Sequence, residues 1–364
     1  MILRAFARLF LVVAALSACR GEPTAPVRAP VDLTAEWETA DPASLDIDAA
    51  ALGAALDHGG TLPRLLSLVV VRHGRVAAER YYNGNYADSL NDVRSVTKSV
   101  VSTIAGIVAR EGQLHEDSTI GSRLSEWAPN LDAAHRSITV ANLLTMSGGF
   151  QWNESTTAGY NAWITSGNPI THVLEKPIAS SPGSTFTYNS GAVHVLSVLV
   201  EKYAGQRIDA IAAEKLWPRL GIQRVRWEIF PHDGRPNGGA GLDLRPRDMA
   251  KLGWLWLEEG RGSDGPVIDE SWVDKGTRPA FSWWQTWAPL NEQNYGWLWW
   301  LYRKDGRTAF FAWGHGGQFI WVDRTLDLVV VVTTNWRNVP AADAAQSARN
   351  GMDLIINHVI PAIR

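Results

Sequence analysis

The chain has a single cysteine, Cys19, among 364 residues. One thiol excludes a disulfide framework, and its place near the N-terminus excludes a catalytic thiol elsewhere. Basic charge is not in excess: 34 Lys and Arg stand against 37 Asp and Glu, a formal net charge of −3, so the chain offers no electrostatic footprint for nucleic acid. The apolar run that follows the first basic residues, Leu9 to Leu16, is too short to cross a bilayer as a helix. Metal and cofactor signatures are missing as well. There is no His-Glu-x-x-His helix, and His115-Glu116-Asp117 reads as a solvated turn. The glycine-rich stretch Asn237-Gly238-Gly239-Ala240-Gly241 follows no strand pattern and precedes no phosphate-binding lysine, so it predicts a flexible loop near the site. No metal and no cofactor are expected. What is present is the composition of a soluble globular protein, 46% hydrophobic and 20% charged, with material for one large or two ordinary domains.

Arg4 and Arg8 precede Leu9–Leu16 and small residues follow, the layout of a secretory signal over residues 1–18. Its end, Leu16-Ser17-Ala18-Cys19, resembles the lipobox of bacterial lipoproteins, where cleavage leaves a lipidated cysteine at the new N-terminus. The resemblance implies an exported protein anchored to a membrane through Cys19. Arg20, in place of Asp, implies retention at the outer membrane, facing the periplasm. An ordinary signal peptide followed by a stray cysteine is the alternative. Residues 19–40 are rich in Pro, Ala and Thr without periodicity and predict a tether, with the folded part starting at 41.

Helical apolar spacing runs from Leu45 to Leu56, and Gly59-Gly60 predicts its end. Leu65–Val71 and Arg75–Tyr82 flank His73-Gly74 as a hairpin, and Val69-Val70-Val71 predicts a strand covered on both faces. Helices are expected at Ile138–Met146, Val193–Tyr203 (amphipathic), Ile208–Trp217, Pro246–Glu259 and Ile268–Lys275. Between Phe150 and Pro182 the chain is polar, aromatic and weakly periodic, which predicts a loop-rich lid. Tryptophan is dense from Phe281 to Trp300. Strands are then expected at Trp297–Arg303, Thr308–Trp313, Gln318–Asp323 and Leu326–Thr334, and a closing helix at Ala341–Val359. Doubly buried strands at both ends need partners, so they share one sheet and the helical block is inserted between them. The expected fold is α+β: an antiparallel sheet from about 41–90 and 290–364, flanked by N- and C-terminal helices, with a mostly helical insertion over about 91–289.

One stretch carries the chemistry. From Ser99 to Ala109 the sequence has no charge and predicts a helix buried all round, with Lys98 at its mouth. A serine before a helix is ordinarily a cap, but a lysine at the third helical position opposes the helix dipole where a capping box places Glu or Gln. If Ser95 begins the helix, Lys98 falls one turn on, within reach of the hydroxyl. Serine is a poor nucleophile until its proton has somewhere to go, and burial would let Lys98 lose its charge and serve as the base.

Ser95-Val-Thr-Lys98 is the only Ser-x-x-Lys in the sequence. With Leu143-Leu-Thr-Met-Ser-Gly-Gly149, Tyr188-Asn189-Ser190 and Gly314-His-Gly-Gly-Gln318, it resembles the serine β-lactamase and penicillin-binding superfamily over nearly all of residues 41–364. The wording is most similar to class C-like members, carboxylesterases of β-lactamase type and 6-aminohexanoate-dimer hydrolases. The resemblance implies Ser95 as nucleophile, Lys98 as its base and Tyr188 as proton relay, with the amides of Ser95 and Gln318 as the oxyanion hole. Tyr188-Asn189-Ser190 fits the family's Tyr-x-Ser variant, whereas Tyr81-Tyr82-Asn83 precedes Ser95 on a strand and is set aside. A buried structural tyrosine is the alternative for Tyr188. The family's Lys-Thr-Gly is replaced by His315-Gly316-Gly317, expected on a strand with substrate lying along the glycines; a structural histidine is the alternative for His315. Ser190 and the aromatic residues Trp152, Tyr160, Trp163 and Trp284, from polar segments, are expected to line the pocket, with Trp283 and Trp287 of the same kind. A small-molecule ester or amide is the implied partner. The alternatives are a β-lactamase or D-alanyl-D-alanine carboxypeptidase using the same residues, or a catalytically silent binding protein. Oligomeric state is left open.

Overall fold

A computed structural model describes residues 30–127, 129–287, 290–304 and 306–364. The signal-like segment and Cys19 lie outside the described residues. The chain opens with α1 (Ala49–Thr61), β1 (Leu65–Arg72), β2 (Arg75–Tyr81) and a two-residue β3 (Asn91–Asp92), then α2 (Val96–Arg110). The middle holds α3 (Ala133–Arg136), α4 (Val140–Leu144), α5 (Ala162–Ile164), α6 (Pro169–Leu174), α7 (Ser190–Ala204) and α8 (Ile208–Ile211). Short strands β4 (Arg226–Trp227) and β5 (Leu242–Leu244) precede α9 (Pro246–Leu257), the small hairpin β6 (Arg261–Gly262) and β7 (Gly265–Pro266), and α10 (Glu270–Gly276). The strands β8 (Gln285–Trp287), β9 (Leu290–Tyr295), β10 (Trp300–Lys304), β11 (Arg307–Gly314), β12 (Gln318–Asp323) and β13 (Leu328–Thr334) lead to α11 (Ala341–Asp353) and a π-wound segment, Leu354–Val359.

The two ends of the chain do share one antiparallel sheet, eight strands in the order β2-β1-β13-β12-β11-β10-β9-β8. Alternation along its central strands separates two apolar layers. Val69, Val71, Ile320, Val322, Val329 and Val331 pack with α2, α7 and α9 on one face. Leu68, Val70, Phe319, Trp321, Val330 and Val332 pack with α1, α11 and the π-wound segment on the other. Covering both faces is why these strands read as unbroken apolar runs.

Four expectations change. Residues 33–40 belong to the folded body rather than to a tether: Leu33 and Trp37 are buried, Trp37 Nε1 donates to the Arg247 carbonyl at 3.0 Å, and Lys251 Nζ to that of Ala35 at 2.8 Å. Gly59-Gly60 lies inside α1; a Cβ at Gly59 would stand 2.7 Å from the Tyr82 hydroxyl, so close approach, not termination, explains Gly59. Helix α7 is buried from Ser190 through Glu201 rather than amphipathic, because it sits in the centre of the insertion against α2, α4 and α6. The tryptophan-rich stretch adds β8 and β9 to the sheet. Their polar sequence conceals this, since Asn294 is fully buried and spends its amide on the Phe281 carbonyl at 2.9 Å.

Candidate active site

Helix α2 is buried over nearly its whole circumference, as its sequence predicts, and its N-terminus abuts the end of β11. Ser95 occupies the cap position without capping: it has helical backbone angles (φ −71°, ψ −3°) and no side-chain bond to the helix amides. An ordinary cap residue is extended and spends its hydroxyl on those amides. Just before it, Arg94 adopts φ 51°, the left-handed region, with Asp92 Oδ1 accepting from its amide at 2.9 Å. Such a conformation is uncommon for a long side chain and marks a strained turn that sets Ser95 at the tip of the helix.

The hydroxyl so freed faces Lys98, whose Nζ donates to Ser95 Oγ at 2.8 Å and to the Gly239 carbonyl at 2.6 Å. Lys98 is 1% exposed. Burial pulls its pKa down to about 7; the Glu154 carboxylate works against this and the Arg94 guanidinium with it. As a free amine it can donate to Gly239 and keep its lone pair for the Ser95 hydroxyl. Tyr188 stands beside the pair, its ring centre 5.0 Å from Lys98 Nζ and stacked on Trp300 at 5.9 Å. Burial pushes its pKa up, Glu154 adds to the rise, and the Ser95 hydroxyl that hydrogen-bonds to it opposes. Adjacent groups pushed in opposite directions are the signature of divided acid and base roles: an amine that loses its proton near neutrality and a phenol that keeps its own.

The glycine-rich loop is not flexible but packed beneath this cluster. Asn237 Oδ1 accepts from the amides of Gly239 and Ala240 at 2.9 and 3.2 Å. A Cβ at Gly239 would stand 2.6 Å from the Ser190 carbonyl, so only glycine lets this backbone reach Lys98. Glu154, from the lid-like loop, is a second residue without a sequence signal. It accepts from Trp152 Nε1 at 2.6 Å, from the Ser190 amide at 3.1 Å and from the Ser190 hydroxyl. Ser190 therefore anchors Glu154 at the start of α7 instead of presenting its hydroxyl to the pocket, and Trp152 is tied to the same carboxylate.

The third motif is displaced. His315-Gly316-Gly317 forms the turn between β11 and β12, not a strand. Gly317 N donates to the Gly314 carbonyl at 3.1 Å and Gly316 has φ 81°, a turn that favours glycine at that position. Gly316 lies against Trp336 and Gly317 against the Ser347 carbonyl of α11, so turn shape and close packing account for both glycines. His315 is exposed at the turn tip, edge-on to Trp336; partial burial and the Arg94 charge hold its pKa below the usual histidine range. Gln318 is fully buried, its side chain bracketing Thr334 through Nε2 to the carbonyl at 3.0 Å and Oε1 from the amide at 3.1 Å. A second charged group, the Arg94 guanidinium, stands close enough to this turn to act on His315. Arg94 lies over the Trp336 ring at 4.3 Å and donates to the Tyr160 hydroxyl at 3.1 Å.

Of the expected aromatic wall, Tyr160 and Trp152 are partly buried at the site, whereas Trp163 is core. It is fully buried, and its Nε1 donates to the Pro169 carbonyl at 3.2 Å. Trp284 lies beneath the Arg303 guanidinium at 4.1 Å, and Trp283 stacks on Phe281 at 5.3 Å and meets Phe186 edge-on at 5.5 Å, one aromatic layer behind Trp300 and Tyr188. Trp300 and Trp336 take the places nearest Tyr188 and Arg94. His115-Glu116-Asp117 lies at a turn, with Glu116 paired to Lys275.

Comparison with known proteins identifies the family. The β-lactamase family profile matches residues 64–351. The 6-aminohexanoate-dimer hydrolase of Paenarthrobacter ureafaciens is 24% identical over 315 residues, 82% of this chain and 79% of that protein. Esterase EstB of Burkholderia gladioli is 29% identical over 259 residues, 61% of this chain and 64% of its own. Among solved structures, a Bacillus anthracis protein described as a 6-aminohexanoate-dimer hydrolase superposes with a TM-score of 0.70 at 19% identity, over 92% of this chain and 91% of that one. With a family profile covering most of its length and the Ser95-Lys98-Tyr188 cluster at the head of α2, the chain belongs to the β-lactamase family.

Proposed function

We propose that the protein is a serine hydrolase that cleaves a small ester or amide through an acyl-enzyme on Ser95. The observation that carries this is the buried Lys98 amine, 2.8 Å from Ser95 Oγ with its pKa drawn down to about 7. Lys98 takes the Ser95 proton as Oγ attacks the carbonyl carbon. The Ser95 amide, at the positive end of α2, and the Gln318 amide are assigned to the oxyanion. Tyr188 passes its proton to the leaving atom and is reprotonated from the Lys98 ammonium; water then releases the acid. Relatives named as a 6-aminohexanoate-dimer hydrolase and an esterase support this substrate class. The test is turnover of p-nitrophenyl acetate and of a linear amide by wild type and Ser95→Ala: equal slow rates would overturn the proposal.

A β-lactam or a peptide ending in a carboxylate is the second reading, and Arg94 favours it, since a guanidinium beside Tyr160 and Trp336 supplies the cation that His315 does not. Nitrocefin or D-Ala-D-Ala peptide turnover exceeding ester turnover would select it.

Glu154→Gln removes the charge that holds the Lys98 pKa up. Activity requires neutral Lys98, so the acid limb of kcat/KM, near pH 7 in wild type, is expected to move to lower pH. A pH profile with an unmoved limb contradicts this assignment. We also propose export and lipid anchoring through Cys19. Cys19→Ala is expected to shift the protein from the membrane to the soluble fraction on cell fractionation, and wild type found wholly soluble would count against the anchor.

A further inference from the structure

On the sheet face opposite the Ser95 site, α1 packs against the π-wound segment Leu354–Val359. His58 lies in the last turn of α1, Asp353 ends α11, and His358 lies in the π-wound segment. The two imidazoles stack with centres 3.9 Å apart and planes 9° apart. His358 Nε2 is 3.6 Å from Asp353 Oδ2, and one nitrogen of each ring and one carboxylate oxygen all lie within 4.8 Å of one another.

The winding makes this possible. In an α-helix, residues five apart differ by about 140° around the axis and cannot share a ligand. Here the Ile360 amide bonds the Ile355 carbonyl, an i to i+5 pattern that brings Asp353 and His358 onto one face, toward His58. Asn357 Nδ2 donates to Asp353 Oδ1 at 2.7 Å, which orients the carboxylate and leaves Oδ2 toward His358. Two imidazoles and one carboxylate suit a borderline transition metal rather than Mg²⁺ or Ca²⁺. Parallel rings do not aim their lone pairs at one point, so binding requires one ring to turn about its Cβ–Cγ bond.

We propose that His58, Asp353 and His358 form a site for a divalent transition metal, with Zn²⁺ as the probe, that clips α1 to the C-terminal helix and leaves the remaining coordination to water. The site is independent of the hydrolase reading, and its test does not use activity. The purified whole chain is titrated with Zn²⁺ by calorimetry, with melting followed in parallel. Wild type is expected to bind one equivalent more than the His58→Ala/His358→Ala double variant. At a hundredfold excess over Kd its Tm is expected to rise by about 3 °C, with no rise in the variant. Asp353→Asn is expected to weaken binding at least about tenfold, and His115→Ala to leave it unchanged. His58→Gln and His358→Gln, read singly, replace the double variant if it does not fold. Equal stoichiometry and Tm shift in wild type and variants, full affinity in Asp353→Asn, or no wild-type binding below about 1 mM would each overturn the site.

Discussion

Lys98→Met is expected to give a protein about a thousandfold less active and, at pH 7, more stable than wild type. Both effects come from the same burial. In the folded state the Lys98 pKa falls from 10.5 to about 7, a difference that corresponds to about 5 kcal/mol against folding at neutral pH. The sign follows from proton counts. Between pH 7 and 10.5 the unfolded chain keeps the Lys98 proton and the folded protein has released it, so this group makes wild-type stability rise with pH across that window and penalises folding most at and below pH 7. Methionine fills a similar volume without the charge. It leaves the Gly239 carbonyl without its donor, which returns about 1–3 kcal/mol of the gain, so the net increase is about 2–4 kcal/mol. Denaturant unfolding at pH 7 and pH 10 measures it: the variant should exceed wild type at pH 7, and by pH 10, where the protonation penalty has almost gone and the unpaired Gly239 carbonyl remains, it should be no more stable than wild type. A variant less stable at pH 7 would show that Lys98 is held as a well-compensated ammonium, which is unsuited to act as the base.

The second large effect is expected from Tyr188→Phe, with kcat lower by about a hundred- to a thousandfold. Its phenol is pushed toward the protonated form by burial and by Glu154, so it acts as a proton donor, and phenylalanine removes only that hydroxyl. Ring packing on Trp300 is retained, and stability should change little. An ester with a good leaving group needs little protonation as it departs, whereas an amide cannot leave as the anion. The loss should therefore be greater for a linear amide than for p-nitrophenyl acetate in single-turnover acylation rates. Unchanged acylation rates for both would assign Tyr188 to the water step alone, and equal losses for both would contradict its role as proton donor to the leaving atom.

How much of this could be read in the sequence depended on where each group comes from. Ser95 and Lys98 were legible because they sit one turn apart on one helix, where spacing is geometry, and the charge-free run behind them foretold the burial that lowers the lysine pKa. Val69–Val71 and Leu328–Val332 foretold a sheet covered on both faces. Glu154 was not legible: it enters from an irregular loop, and only the fold shows that it meets Ser190 and Trp152. The Gly239 contact is made by backbone, which no side-chain pattern reveals, and a mobile loop was expected where the glycines serve close packing. Arg94 carried no sequence signal: its left-handed backbone and its place between Tyr160 and Trp336 come only from the fold. His315-Gly316-Gly317 kept its place in the chain but not on a strand, since positive φ at both glycines makes it a turn. His58 and His358 come together from opposite ends of the chain, beyond any local spacing.

The central claim is a covalent acyl-enzyme on Ser95, and intact-protein mass after brief exposure to p-nitrophenyl acetate tests it most directly. Wild type should gain one acetyl group that peptide mapping places on Ser95, accumulating further in Tyr188→Phe if acylation by this activated ester outpaces its release by water, and absent in Ser95→Ala. Turnover by wild type with no adduct under rapid quench, or the same adduct in Ser95→Ala, would contradict it.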